Sequence, residues 1–247
     1  MKNKTAIITG ASTGIGKEIA KLFIEKGCNV VMNASTEENL QKAYKDLGSP
    51  VNAALLVGDI SKQETSKQLV ALALEKFNGI DVLINNAGIF APKPFLEVEE
   101  SDLELYWNVN LKGTYFASQA VIPSMVEQKN GAIINIGTVL VDHAIAGFPA
   151  TAPLMSKGAI HALTRQLAAE FGNDNIKVNT IAPGIIRSPL QSKIGIEDAD
   201  SLAGLHLLNR IGEVTDIAEA AYYLAFSNFV TGETMNVAGG HTVGHAI

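Results

Sequence analysis

Thr9-Gly10-Ala11-Ser12-Thr13-Gly14-Ile15-Gly16 is the stretch from which the fold is read. It follows an apolar run at residues 5–9 and opens a segment, 14–26, in which Ile15, Ile19, Leu22 and Phe23 recur at helical spacing. A strand that passes into a helix through glycines gains a tight turn and a backbone bare enough for a phosphate to approach closely. The start of the helix then offers unpaired N–H groups and the positive end of its dipole to that anion. A glycine repeat alone is a weak signal. At the first strand-to-helix junction of an alternating chain it indicates a dinucleotide site.

Outward from that junction the chain keeps the same rhythm. Apolar runs at 5–9, 28–32, Ala53–Val57, Val82–Asn85, 132–136, 177–181 and Thr234–Val237 alternate with helical spacings at 14–26, 37–47, 62–77, 101–129, 153–171 and 216–226. The span 101–129 is long enough for two helices, with Ser101 as an N-cap. Runs that are apolar throughout belong to strands buried on both faces, as in a parallel sheet covered by helices. Their alternation with helices is the pattern of βαβ units. The expectation is a single α/β domain over 1–247, a doubly wound, mostly parallel sheet of about seven strands in an α/β/α sandwich. Residues 187–210 fit neither period and carry Gly195 and Gly204, so they are expected to form a substrate loop or lid.

Composition narrows the function classes. The chain is 47% hydrophobic and 18% charged, a globular balance, and its net charge of −6 argues against nucleic acid or an anionic membrane as partner. One cysteine, Cys28, excludes an internal disulfide and suits a reducing compartment. The lead Met1-Lys2-Asn3-Lys4 is too short for a signal peptide, and no apolar run approaches the ~18–20 residues that span a bilayer. A cytoplasmic protein with a small-molecule substrate and no metal is expected.

Three further segments extend the pattern: Asn85-Asn86-Ala87-Gly88, Asn179-Thr180-Ile181-Ala182-Pro183-Gly184, and Thr231-Gly232-Glu233 with Ala238-Gly239-Gly240. With them, the chain resembles a single-domain short-chain dehydrogenase/reductase from about Thr5 to Gly240. The resemblance implies a Rossmann-type fold and hydride exchange between a nicotinamide cofactor and an alcohol/carbonyl pair. It assigns cofactor contacts to Gly10, Ser12, Thr13, Gly14, Ile15 and Gly16, to Ser35, and to Asp59 and Ile60 on the adenine side. It assigns others to Asn86, Ala87, Gly88 and Lys157, and around the nicotinamide to Pro183, Gly184, Ile186 and Ser188. It also implies a homodimer or homotetramer built on helices near 110–125 and 153–171. Ile160, Leu163 and Leu167 are candidates for that contact, or for facing the sheet.

Between NAD and NADP the sequence leans to NADP. After the second strand it reads Met32-Asn33-Ala34-Ser35-Thr36, with neither the acid that binds NAD's ribose hydroxyls nor an arginine for the 2′-phosphate. Thr13 also lacks a basic side chain. Ser35 and Thr36 could donate to a phosphate, and no acid repels it.

Hydride transfer at a carbonyl carbon needs a matching proton at the oxygen. The family generally uses an asparagine, a serine, and a tyrosine four residues before a lysine, a spacing that puts phenol and ammonium on one helix face. Asn110 matches the asparagine, with Asn108 as the alternative. Thr138 stands in the serine position and keeps a hydroxyl, and Lys157 matches the lysine. Pro153, however, occupies the tyrosine position and can neither give nor take a proton. Proline is tolerated in a helix's first turn, with Thr151 or Ala152 then expected at the cap. His143, Thr151 or a water held by Lys157 and Thr138 are the candidate substitutes. Three readings follow: an oxidoreductase with atypical acid/base chemistry, a non-catalytic dinucleotide-binding protein acting as sensor or partner subunit, and another reaction on the same scaffold that dispenses with the phenol.

Overall fold

The structure, a computed structural model, describes residues 3–244. Strands β1 (Thr5–Ile8), β2 (Asn29–Ala34), β3 (Ala53–Val57), β4 (Val82–Asn85), β5 (Gly131–Ile136), β6 (Ile176–Pro183) and β7 (Thr234–Val237) form one sheet in the order β3-β2-β1-β4-β5-β6-β7. The expected mostly parallel sheet is parallel at every pairing. Each crossover therefore has to return over a face of the sheet, which is where the helices lie.

Alternate strand residues feed two cores. Ile8, Val30, Met32, Ile84 and Ile134 pack with Ile19 and Phe23 of α1 (Gly14–Glu25), Leu40 of α2 (Glu37–Asp46) and Leu224 of α8 (Val214–Phe226). Ile7, Val31, Leu83, Ile133 and Val178 point the other way. They meet Leu69 of α3 (Gln63–Phe77), Met125 of α5 (Gly113–Gln128) and Ala168 of α6 (Thr151–Phe171). Each fully buried Ile or Leu contributes roughly 1.5–3 kcal/mol, so the period-2 alternation fixes register on both faces at once.

A buried polar chain ties the central strands to the helices behind them. Asn85 Nδ2 donates to Ser118 Oγ at 3.0 Å and to Asn135 Oδ1 at 2.9 Å. Asn135 Nδ2 donates to Thr164 Oγ1 at 2.8 Å, which lies 2.7 Å from Thr180 Oγ1. β4, β5, β6, α5 and α6 are thus locked together just below the crevice, where an unpaired amide would cost about 1–3 kcal/mol.

Two local expectations, both helix caps, are corrected. The 101–129 region is α4 (Glu100–Tyr106), a π-helical stretch Trp107–Lys112, then α5. Its cap is Glu99 and not Ser101, because Glu99 and Asp102 satisfy each other's backbone N–H reciprocally. Helix α6 begins at Thr151 with Ala150 at the cap, before both expected caps, Thr151 and Ala152, so Pro153 is its third residue, where the missing N–H has no intrahelical partner to lose. Residues 187–210 carry α7 (Pro189–Lys193), capped by Ser188 with Gln191, and a 3-10 stretch Ala199–Leu205. The open dimer alternative resolves in part: Ile160 is buried, and Leu167 packs on the protein's own core.

Candidate functional site

The crevice opens between β1 and β4, where the strand order reverses. Gly10 leaves β1 with φ +63°, and a Cβ there would stand 2.8 Å from the Ala87 Cα. Two backbones meet at that point, so a side chain has no room. Gly16 is shut in more tightly still: a Cβ would lie 2.3 Å from both Asn86 Nδ2 and the Gly10 carbonyl oxygen. Asn86 Nδ2 donates to the carbonyls of Thr9 and Gly10 at 3.0 Å each, and Thr9 Oγ1 accepts the Asn86 and Ala87 N–H groups, also at 3.0 Å. The loop is set by the protein itself. Thr13 caps α1 without a side-chain hydrogen bond, which leaves the N–H donors of the first turn directed at the crevice.

From this cradle a continuous cavity of about 820 Å³ runs along the carboxyl ends of the strands. Of the sequence-derived cofactor residues, Gly10, Ser12, Thr13, Gly14, Ile15, Ser35, Asp59, Ile60, Asn86, Ala87, Gly88, Lys157, Pro183, Gly184, Ile186 and Ser188 border it. Gly16 lies behind them. Asn33 spends its amide on the carbonyls of Leu56 and Gly58, both at 3.1 Å, which leaves Ser35 as the hydroxyl at the rim. The cavity can take a dinucleotide: the glycine turn supplies bare backbone, and the groove continues without a break toward Lys157.

At the far end Lys157 is buried, and its Nζ donates to the Ile136 carbonyl at 2.6 Å. Burial pushes its ammonium down to about 8, because the charged form is poorly solvated there. Thr138 caps a short 3-10 turn, with Oγ1 accepting the Leu140 N–H at 3.2 Å. That bond uses an oxygen lone pair and leaves the hydroxyl proton free to donate.

Asn110 is different. It does not border the cavity, and its side chain is spent inside the protein. Oδ1 accepts the Ile89 N–H at 2.8 Å, while Nδ2 donates to the Ile89 carbonyl at 3.1 Å and to Ser156 Oγ at 2.9 Å. Ser156 Oγ in turn donates to the Pro153 carbonyl at 2.7 Å. The π-helical stretch, the segment after β4 and the first turn of α6 are therefore clamped at one point, and a Cβ on Gly88 would lie 3.2 Å from both Asn110 Oδ1 and Lys157 Nζ. Asn108, the weighed alternative, instead pairs with Lys112 at 2.9 Å.

Pro153 is buried and also stands back from the cavity. His143 and Thr151, two of the candidate proton donors, do not line it either. His143 packs edge-on against His241, ring centroids 5.2 Å apart, and His241 does line it, with His206 on its other side at 5.1 Å. Sequence reasoning missed His241 and Ser156. It also missed the apolar wall of Phe90, Leu140, Phe148, Ile194 and Leu202. These residues come from loops with no period, so only the fold brings them together. Among the described residues no group of three or more His, Cys, Asp or Glu side chains is disposed to hold a metal ion.

Comparison with known proteins gives a consistent set of likenesses. A family model described as enoyl-(acyl carrier protein) reductase matches residues 10–242. The 3-oxoacyl-[acyl-carrier-protein] reductase FabG of Thermotoga maritima is 33% identical over 97% of this chain and 98% of its own. Among solved structures, a short chain dehydrogenase/reductase family protein superposes with a TM-score of 0.88 at 32% identity, covering 98% of this chain and 99% of the other. ElxO with NADP bound superposes with a TM-score of 0.89 at 32% identity and the same coverage.

Proposed function

Because the chain belongs to the short-chain dehydrogenase/reductase family, we propose that it is a nicotinamide-dependent oxidoreductase acting on an alcohol/carbonyl pair, with Lys157 exchanging the proton that the family's tyrosine usually handles. One observation carries this reading: the glycine cradle and the buried Lys157 border the same cavity. When bound, the nicotinamide supplies or accepts the hydride.

The chain's own residues do the rest. Thr138 offers its hydroxyl proton to the substrate oxygen, its lone pair being held by Leu140. Lys157 commits one N–H to Ile136 and keeps two for the cofactor ribose and the substrate. An acid works best when its pKa is near the working pH, and burial has brought the Lys157 ammonium to about 8. That makes Lys157 a better donor than Thr151, whose hydroxyl is far too weak an acid, and better placed than His143. Asn110 acts through position, holding the first turn of α6, and with it Lys157, against Ile89.

The cofactor we assign is NADP. Ser35 stands at the rim where a carboxylate would repel the 2′-phosphate, and the similar ElxO is known with NADP bound. No cation lines this end among the described residues, and Glu37 and Glu38 open α2 nearby, so the preference over NAD is small. Residues 187–210 serve as the substrate loop, since Leu190, Ile194 and Leu202 face the cavity. The exposed Leu103, Trp107 and Tyr115 support pairing of the α4–α5 face in a homodimer or homotetramer. The single cysteine suits a cytoplasmic setting, and no helix among the described residues is long and apolar enough to cross a membrane.

Pro153 itself favours a second reading, a dinucleotide-binding protein that has lost the reaction. Loss of a general acid lowers rates by ~10²–10⁴ without abolishing them, which is why catalysis is retained as the conclusion. Titration with NADPH and NADH by nicotinamide fluorescence, followed by NADPH oxidation on a panel of ketones and aldehydes, tests both. Binding with slow oxidation supports the oxidoreductase. Binding without any oxidation supports the second reading, and absence of binding sinks the two together.

A further inference from the structure

The substrate end of the cavity differs in chemistry from its cofactor end. Among the described residues bordering the whole cavity, the ionisable side chains are Asp59, Lys157 and His241. Asp59 belongs to the adenosine end and Lys157 to the reacting centre. The wall around the substrate end is largely hydrocarbon, from Leu140, Phe148, Leu190, Ile194, Ile196 and Leu202, with Thr138, Gln191 and His241 as polar members. Phe90 and Phe148, which both border the cavity, lie nearly parallel, interplanar angle 11° with centroids 6.0 Å apart.

The rim completes the picture. Arg187 follows the cavity residue Ile186 in sequence, and its guanidinium is bonded to Asp200 at 2.6 Å and Glu213 at 3.0 Å. Lys93, whose N–H donates to the Pro149 carbonyl beside Phe148, is bonded to Asp102 at 2.6 Å. Three carboxylates thus engage the two cations that neighbour cavity residues, on a chain whose net charge is −6. A carboxylate, sulfate or phosphate arriving here finds its natural partners already engaged and an acidic surround. Inside, a charge away from Lys157 would be stripped of water against hydrocarbon side chains.

We propose that the substrate is an uncharged, apolar alcohol or ketone, taken up free and not on a phosphate-bearing carrier. This rests on the oxidoreductase reading of the same site and narrows it. It also sets the chain apart from the relative whose name specifies an acyl-carrier-protein substrate.

The test uses matched pairs that differ in charge, offered to the full chain saturated with NADP⁺, with binding read by calorimetry. One pair is 5α-dihydrotestosterone and its 17-sulfate. The other is the N-acetylcysteamine and coenzyme A thioesters of 3-oxooctanoate. In each pair the uncharged member is expected to bind at least about tenfold tighter. Leu202→Arg, or Ile196→Lys if the first variant is unstable, is expected to narrow that gap by putting a cation into the apolar wall. Equal or tighter binding of the charged members, no binding by any member, or a gap that neither variant changes overturns the proposal. NADPH oxidation in parallel samples, with NADPH in place of NADP⁺, separates the two levels. Uncharged ligands that bind and are never reduced leave the substrate class standing and remove the oxidoreductase reading. Reduction of the coenzyme A thioester with rejection of the uncharged ligands does the reverse.

Discussion

Lys157 Nζ and the Ile136 carbonyl are 2.6 Å apart, a hydrogen bond made in full burial between the first turns of α6 and the last residue of β5. Among the described residues it is the hydrogen bond that stabilises an ammonium its buried surroundings otherwise disfavour. On the proposed reading, this poorly solvated charge sits where a proton is exchanged.

Removing that charge is expected to stabilise the protein and disable it. The folded-state pKa of Lys157, about 8, lies below the ordinary 10.5. Below pH 8 both folded and unfolded chains carry the proton and the folded one bears the whole desolvation cost. Between pH 8 and 10.5 the folded chain sheds its proton first, so stability rises with pH. Lys157→Met should be more stable at pH 7 by about 2 kcal/mol, the ~3 kcal/mol of relieved charge less ~1 for the lost hydrogen bond. Its stability should lose the rise between pH 8 and 10.5, and its turnover should fall by at least ~10². Denaturant melts at several pH values and a steady-state assay measure both.

His161 sets a limit on the acid side. It is buried one helical turn after Lys157, and burial lowers its pKa below 6.5, with Asp142 opposing and Arg165 and Lys157 assisting. As pH falls through 6.5 the unfolded imidazole takes up a proton that the folded one refuses, so stability is lost. A Cβ on Gly137 would lie 2.3 Å from His161 Nε2, which shows how closely the ring is enclosed. His161→Phe should flatten the decline of melting temperature below pH 6.5, and an unchanged decline would assign it to other groups.

The clamp of Asn110 and Ser156 should behave as a unit. Asn110→Ala leaves the Ile89 N–H and Ser156 Oγ without their partner and should cost about 1–3 kcal/mol. Ser156→Ala should cost less. Because the two touch, the double variant is expected to cost clearly less than their sum in denaturant melts. In both single variants kcat should fall more than KM rises, since the displaced element is Lys157 and not the substrate wall.

Cofactor choice should respond at Ser35. Ser35→Asp puts a carboxylate against the 2′-phosphate and a hydrogen-bond acceptor by the ribose hydroxyls. NADPH affinity should drop by about tenfold, some 1.4 kcal/mol, with NADH unchanged or tighter. The starting preference itself should be below about tenfold, as no cation meets the phosphate among the described cavity residues.

Much of this was legible in the sequence where residues act locally. Gly10 and Gly16 announce a close backbone approach by their type and spacing, and the apolar runs announce a two-faced sheet. What was not legible depends on long-range meetings. Asn110 reads as a cavity-facing polar residue because its π-helical setting, which turns it toward Ile89 and Ser156, leaves no mark in the residue pattern. His241 carries no signal in the sequence, yet the chain folds it against His143 and His206. The Ser101 cap failed for a simpler reason: the reciprocal pair Glu99 and Asp102 outcompetes a lone hydroxyl.

The most direct measurement is single-turnover NADPH oxidation by the wild type and Pro153→Tyr, on one carbonyl substrate drawn from the panel, with melting temperature and NADPH affinity measured alongside. If the cradle, Thr138 and Lys157 are in working order and the proton donor is what limits the rate, the tyrosine variant should react faster by ~10²–10⁴ while binding NADPH equally well. A variant that folds, binds NADPH as tightly and reacts no faster than the wild type would contradict it.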